Sequence, residues 1–325
     1  MQLSQFSPLA AEALRVARAD VAHDSPATVD LANLNALREV KSVEIEVTEP
    51  FGGSPTLGVA ATPWEPVPSG TTDNLQGAHR APDGSLLIGG FDGIRRSVDN
   101  GQNWMQVGAA GERIDTFVAA DSGDVIAAGF ENAFASADSG ATWSALAVGV
   151  TATWLTSLKA DDGSLILAGA GGSNPNPAIA VRSTDNGATW SQVTIPLPDG
   201  NFAGGGVHAG LEAGGGSLTL AGIDGRAVRS TDSGATWAEV PTNGAGLLQA
   251  GVKADDGSLV LAGRNGAVTV STDDGQSWAA SILDGAGSIT GAGLDPSGAL
   301  LLFGTDGDFA SRDSGQSWAP TFIGA

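Results

Sequence analysis

The sequence predicts an all-β chain folded as a single β-propeller, and three observations predict it. An eight-residue pattern, Ser-x-Asp-x-Gly-x-x-Trp, occurs six times: Ser97 to Trp104, Ser136 to Trp143, Ser183 to Trp190, Ser230 to Trp237, Ser271 to Trp278 and Ser311 to Trp318. Its tryptophans fall 39, 47, 47, 41 and 40 residues apart, a period within the range of propeller blades. Each pattern is preceded by a short apolar run ending in glycine: Leu86–Gly90, Val125–Gly129, Leu165–Gly169, Leu218–Gly222, Leu259–Gly263 and Leu300–Gly304. The 48 glycines among 325 residues suit a fold with many tight turns. Six blades are favoured, and seven remain open.

Taken in order, residues 1–24 form an N-terminal arm. Ser7-Pro8 ahead of Leu9, Ala13, Leu14, Ala17 and Val21 predicts a short helix, with Ser as N-cap and Pro at its first position. The arm either orders on a partner or packs on its own domain. Residues 25–62 alternate with period two at Ala27-Thr28-Val29-Asp30-Leu31, Val43-Glu44-Ile45-Glu46-Val47 and Pro55-Thr56-Leu57-Gly58-Val59, the mark of strands. They contain no eight-residue box, so they are a small β-module or an aberrant first blade.

The propeller is expected over residues 63–325. Its plan is plainest at 247–282: a strand to Lys253, a turn at Asp255–Ser258, a strand Leu259–Gly263, a turn at Asn265-Gly266, a strand Ala267–Ser271, the box, and a last strand to Ile282. Four short strands per unit make a blade. Within each box the carboxylate of Asp99, Asp138, Asp185, Asp232, Asp273 or Asp313 is expected to bond the backbone of its own turn, with Gly supplying a left-handed residue. Trp104, Trp143, Trp190, Trp237, Trp278 and Trp318 then open the outer strand and fill the wedge between neighbouring sheets. Arg182, Arg229 and Arg312 recur beside or within boxes, which suggests a local salt bridge or, alternatively, a ring of anion-binding groups.

The two longest intervals carry insertions, Gly171 to Pro177 and Asp199 to Gly206. Variable loops on a repeating scaffold are where binding surfaces are carried. Asn174, Asn176, Asn201 and Phe202 are therefore the candidate ligand contacts, with Trp154 as a sugar-stacking platform or, alternatively, a core residue.

Composition narrows the function. Fifteen Lys and Arg against 36 Asp and Glu give a formal charge of −21, which repels nucleic acid and anionic membranes. Cysteine is absent, and His23, His79 and His208 stand far apart, so no thiolate or histidine metal site is predicted. No cofactor is expected; calcium in the acidic turns stays open as a structural ion. No apolar run approaches the roughly eighteen residues of a membrane span, and the first residues lack a basic segment followed by an apolar one. The motifs of serine hydrolases, zinc peptidases and P-loops are missing.

The boxes resemble Asp-box, or BNR, repeats of sialidase-like and xyloglucanase-like glycosidases, sortilin-type receptors and photosystem II assembly-factor-like propellers. The resemblance covers residues 63–325 and implies the fold more than any activity. A sialidase would need a tyrosine nucleophile, and the chain has no tyrosine. A xyloglucanase-like mechanism needs two carboxylates across a cleft; Asp92, Asp115, Asp224 and Asp306 are the acids near blade turns. In the assembly-factor-like propellers an N-terminal Trp-bearing strand pairs with the last blade. Pro63-Trp64-Glu65-Pro66-Val67 resembles that strand, and either begins a six-blade ring or ends a seventh blade formed by residues 25–67.

Residues 25–62, from Ala27 through Leu57, are similar to a small β-module of tailed-phage virion proteins such as fibres and decoration proteins. That resemblance implies a non-enzymatic structural or attachment protein of a phage or gene-transfer-agent-like particle. Residues 1–62 would dock it to other virion proteins, and it would be oligomeric in the particle. The propeller would face a host-surface glycan or protein, without nucleic acid or membrane insertion. Its expected place is the virion, with an extracellular protein as the alternative. A glycoside hydrolase with paired carboxylates and an assembly-factor or receptor-like interaction propeller are the competing expectations.

Overall fold

The computed structural model describes residues 69, 71, 74–172, 177–197, 205–244, 246–295 and 297–321. The predicted helix in 1–24, the module at 25–62, Trp64, and the candidate contacts Asn174, Asn176, Asn201 and Phe202 lie outside these residues. No helix among the described residues is long and apolar enough to cross a membrane.

Six four-stranded antiparallel sheets follow one another along the chain, each with its strands paired in sequence order. They are blades 1 to 6, over residues 75–108, 114–145, 152–193, 207–240, 248–282 and 289–321. Blade 1 shows the plan: inner strand Leu75–Arg80, second strand Leu86–Gly90, third strand Gly93–Ser97 and outer strand Met105–Gly108. The inner strands pack side by side from blade 1 through blade 6.

Strand alternation explains how the blades stack. Along the second strand, odd and even side chains point to opposite sheet faces, and both faces are covered by neighbouring blades. In blade 3, Leu165 and Leu167 pack toward blade 2, while Ile166 and Ala168 pack toward blade 4. Five apolar clusters result, each between consecutive blades. A box tryptophan joins each of them from the later blade. Trp237 and Trp278 are fully buried at 8% and 4% exposure, whereas Trp143, Trp190 and Trp318 are half-buried at cluster edges. Trp104 of blade 1, expected to fill a sixth wedge, is half-buried and belongs to none of these clusters.

The up-and-down order also sorts the turns. Turns between first and second strands, and the boxes between third and fourth strands, all lie at one end of the blades. Turns between second and third strands, and every blade-to-blade link, lie at the other. These two ends are the box face and the connection face. The described strand ends that flank both insertions lie at the connection face: Gly171 and Ala178 of blade 3 for one, Val193 and Val207 for the other.

Candidate functional site

The box is a closed hydrogen-bonding unit. In blade 1 the Ser97 hydroxyl donates to Asp99 Oδ1 at 2.8 Å and accepts from the Gly101 N–H at 2.8 Å. Asp99 Oδ1 also accepts the Asn103 N–H at 2.9 Å, and Oδ2 accepts the Asn103 side-chain amide at 2.6 Å. Thr142, Thr189, Thr236, Ser277 and Ser317 play the part of Asn103 in the other boxes. The residue before each box glycine is left-handed as well, with φ of 55° to 58° at Asn100, Ser139, Asn186, Ser233, Asp274 and Ser314. Sequence reasoning placed only the glycine there.

These bonds fix the chemistry. The side-chain and backbone donors at the box threonines, serines and Asn103 hold Asp99, Asp138, Asp185, Asp273 and Asp313 down to about 2. Asp232 is lowered too, its donors outweighing the opposing effect of burial. A carboxylate so depressed is ionised at neutral pH and cannot serve there as a general acid.

The repeated arginines join blades. Arg182 Nε donates to the Ser233 carbonyl of the next box at 2.7 Å, and Arg229 Nε to the Asp274 carbonyl at 2.6 Å. Arg96 does the same to Ser139 at 3.1 Å. Arg182 and Arg229 thus form no ring of anion-binding groups, because their guanidinium groups are held in the seams. Arg312 stands one position beyond a box serine and is not equivalent to them.

The connection face is chemically different. Each inner strand has a register shift at its start, and five of them bulge out one residue each: Gln76, Asp115, His208, Gln249 and Thr290. A bulge re-aims a side chain out of the ladder, so polar residues stand at one level around the channel mouth. In blade 3 the shift leaves Leu155 at this position. Asp115 is the most enclosed, its side chain 4% exposed. Arg113 holds Oδ1 at 2.8 Å, while Oδ2 has no hydrogen-bond partner among the described residues. Burial pushes the Asp115 carboxyl above its ordinary value against the pull of Arg113. Gln249 Oε1 is likewise buried without a donor. His208 contacts the Gly205 carbonyl at 3.2 Å, and burial lowers its pKa, with Arg264 and Arg113 adding to that effect.

Two phenyl rings complete this face. Phe91 and Phe130 occupy the same place after the second strands of blades 1 and 2, and are 48% and 49% exposed. The Arg113 guanidinium lies over the Phe91 ring, 5.2 Å from its centroid. An exposed aromatic pair beside a cation suits a ligand with one apolar face, such as a sugar. The sequence held a signal for this pair: blades 3 to 6 carry Ala170, Ile223, Arg264 and Thr305 at the corresponding position.

Trp154, expected as a sugar platform or a core residue, is core. It is 0% exposed in the cluster between blades 2 and 3, and its indole N–H has no partner. The inner strand turns this side chain into the wedge, so no face is left for a ligand. Of the acids near blade turns, Asp92, Asp115, Asp224 and Asp306 all fall on the connection face. Asp92 and Asp115 each carry their own arginine, Arg95 at 3.2 Å and Arg113 at 2.8 Å. Sequence reasoning missed a different carboxyl pair at the box-face end: Asp161 and Glu212 influence each other across the seam of blades 3 and 4. Burial, then Asp161, raises Glu212, and Glu212 lowers Asp161. Among the described residues, no three histidine or acidic side chains converge as metal ligands would.

No family model matches the chain, and no curated protein matches it. Solved structures do. YCF48 from Cyanidioschyzon merolae is 14% identical with a TM-score of 0.59, over 78% of this chain and 87% of that one. Virginiamycin B lyase from Staphylococcus aureus is 12% identical with a TM-score of 0.58, over 76% and 83%. An ancestral GH74 enzyme is 15% identical with a TM-score of 0.61, over 81% of this chain but 40% of that one. At these identities the likeness shows the fold alone, and the neighbours include enzymes. The chain is a β-propeller with six four-stranded blades in its described residues.

Proposed function

We propose that this protein is a non-enzymatic structural and attachment protein of a phage or gene-transfer-agent-like particle, and that its connection face binds a host-surface polysaccharide. The observation that carries the binding half is the division of labour between the two faces. Box carboxylates are bonded within their own turns, whereas the connection face holds exposed Phe91 and Phe130, with the Arg113 guanidinium over the Phe91 ring. The particle half rests on the acidic composition and on the resemblance of residues 25–62 to virion modules.

A glycoside hydrolase is less well supported. Its two carboxyl groups stand roughly 5 to 9.5 Å apart, leaving room for the sugar or a water. Asp161 and Glu212, the pair that interact across the seam of blades 3 and 4, lie at the box-face end, away from the exposed phenyl rings. A protein-interaction propeller is the second reading, favoured by one solved neighbour, YCF48 bound to D1 peptide, 16% identical with a TM-score of 0.51.

Mass spectrometry of purified particles from the source organism tests the particle half. The chain is expected at stoichiometric abundance with capsid and tail proteins, and its absence from them would overturn the assignment.

A further inference from the structure

Five of the six sheet-to-sheet seams that a closed six-blade ring requires are present, and the sixth is unlike them. A Cβ built on the box glycine of a blade meets the second strand of the preceding blade in every case but one. Gly140 meets Leu87, Gly187 meets Ile126, Gly234 meets Ile166, Gly275 meets Thr219 and Gly315 meets Val260. The corresponding residue of blade 6 is Leu301, yet Gly101 meets only Trp104 and Leu86 of its own blade. Exposure tells the same story. The outward pair on the second strand is fully buried in blades 2 to 5, as Ile126 and Ala128 or Val260 and Ala262, whereas Leu301 and Phe303 of blade 6 are half-exposed. On the opposite side of the gap, Leu86 and Trp104 are half-exposed as well.

We propose that residues 25–67 of this chain occupy that gap as a seventh blade between blades 6 and 1. Three observations choose this occupant. The chain enters blade 1 at the gap, because residues 1–68 lead directly into the inner strand that begins at Leu75. Trp64 precedes Leu75 by the same eleven residues that separate Trp237 from Leu248 and Trp278 from Ile289, so Trp64 to Val67 stands where a preceding blade's outer strand belongs. Blade 6 already has its own outer strand, Ala319–Thr321, so this strand belongs to another sheet. The alternating segments at 27–31, 43–47 and 55–59 supply the other three strands that a blade needs. The gap's apolar lining of Leu301, Phe303, Leu86 and Trp104 then finds the covering that every other seam has. With residues 25–67 in the ring, the blade reading of that stretch replaces the virion-module reading, and the proposed particle-docking element becomes the arm at residues 1–24.

Because the chain has no cysteine, single cysteines report the gap directly. Leu301→Cys and Phe303→Cys in the full-length protein are expected to react with a thiol reagent at least about tenfold more slowly than Val98→Cys on the surface. That protection is expected to be independent of protein concentration. Adding Ile45→Asp, which places a charge in the central alternating segment, is expected to expose the thiol of the Leu301→Cys variant. The thiol of Ala262→Cys, in the seam of blades 5 and 6, should stay protected under the same change. Full reactivity of the Leu301→Cys and Phe303→Cys variants in the otherwise unchanged chain would overturn the assignment, as would protection that appears only at high concentration, the mark of a second copy. Hydrogen exchange on the unsubstituted protein is an independent check: peptides covering 43–47 and 55–59 should be protected as strongly as Leu259–Gly263, and fast exchange there contradicts the seventh blade.

Discussion

The Nε of Arg182 in blade 3 donates to the carbonyl of Ser233 in the box of blade 4, at 2.7 Å. Ser233 is left-handed, with φ of 56°, and this turns its carbonyl out of the box and toward the preceding blade. The other guanidinium nitrogen reaches Ser164 Oγ at 2.6 Å and Asp162 at 3.3 Å. One arginine therefore links a box, a first-to-second-strand turn and its own strand across a seam. Arg182→Ala should lower stability by about 1–3 kcal/mol, the range for hydrogen bonds to a charged group, as read by urea unfolding. Arg182→Lys should recover little of it, because an ammonium lacks the planar fork. An unchanged midpoint for the alanine variant would show that the latch contributes nothing.

Acid sensitivity should follow from the boxes. Their carboxylates sit at about 2 in the folded protein and near an ordinary value of about 3.9 when unfolded. A depressed folded pKa stabilises the fold above the unfolded value and loses that contribution as pH falls through the folded one. The melting temperature should therefore be insensitive to the boxes above about pH 5 and drop between about pH 4 and 2. Calorimetry across that range checks it, and Asp185→Asn should reduce the drop.

Glu212 should act with the opposite sign. Its raised value means that its favourable contribution is present at low pH and is lost as pH rises through that value. Glu212→Gln keeps a donor toward Asp161 without a second charge. The variant should melt higher than the parent at pH 7, and the gain should vanish below about pH 4, near the ordinary value of the acid. Equal melting temperatures at pH 7 would show that Asp161 and burial do not raise Glu212 in the folded protein.

Burial separates tryptophans that the repeat makes look alike. Trp237 is 8% exposed inside the cluster between blades 3 and 4. Trp237→Ala should cost roughly 3–5 kcal/mol; a loss below about 1 kcal/mol in urea unfolding would place the ring outside the core.

Much of this was legible because repetition multiplies weak signals. One box would mark a turn; six boxes, each with a matching apolar strand, marked blades and their order. Seams were partly legible: the apolar runs gave the second strands, but nothing local said that Arg182 would reach a carbonyl 51 residues away. Trp154 misled as a platform because an inner-strand tryptophan reads the same whether it faces the wedge or the channel, and only the bulge beside it decides. Asp161 and Glu212 were hidden for a similar reason, since they come from different blades and carry no shared motif. The Phe91 and Phe130 pair was readable from the aligned blades, at a turn position where the repeat is not kept.

Binding to immobilised surface polysaccharide from host bacteria, compared between a connection-face variant and a box-face variant of the full chain, tests the division between the two faces most directly. Phe91→Ser with Phe130→Ser should weaken binding at least about tenfold, while Asp99→Asn with Asp138→Asn should bind as the parent does. Loss of binding in the box variant with the phenyl pair dispensable would contradict it.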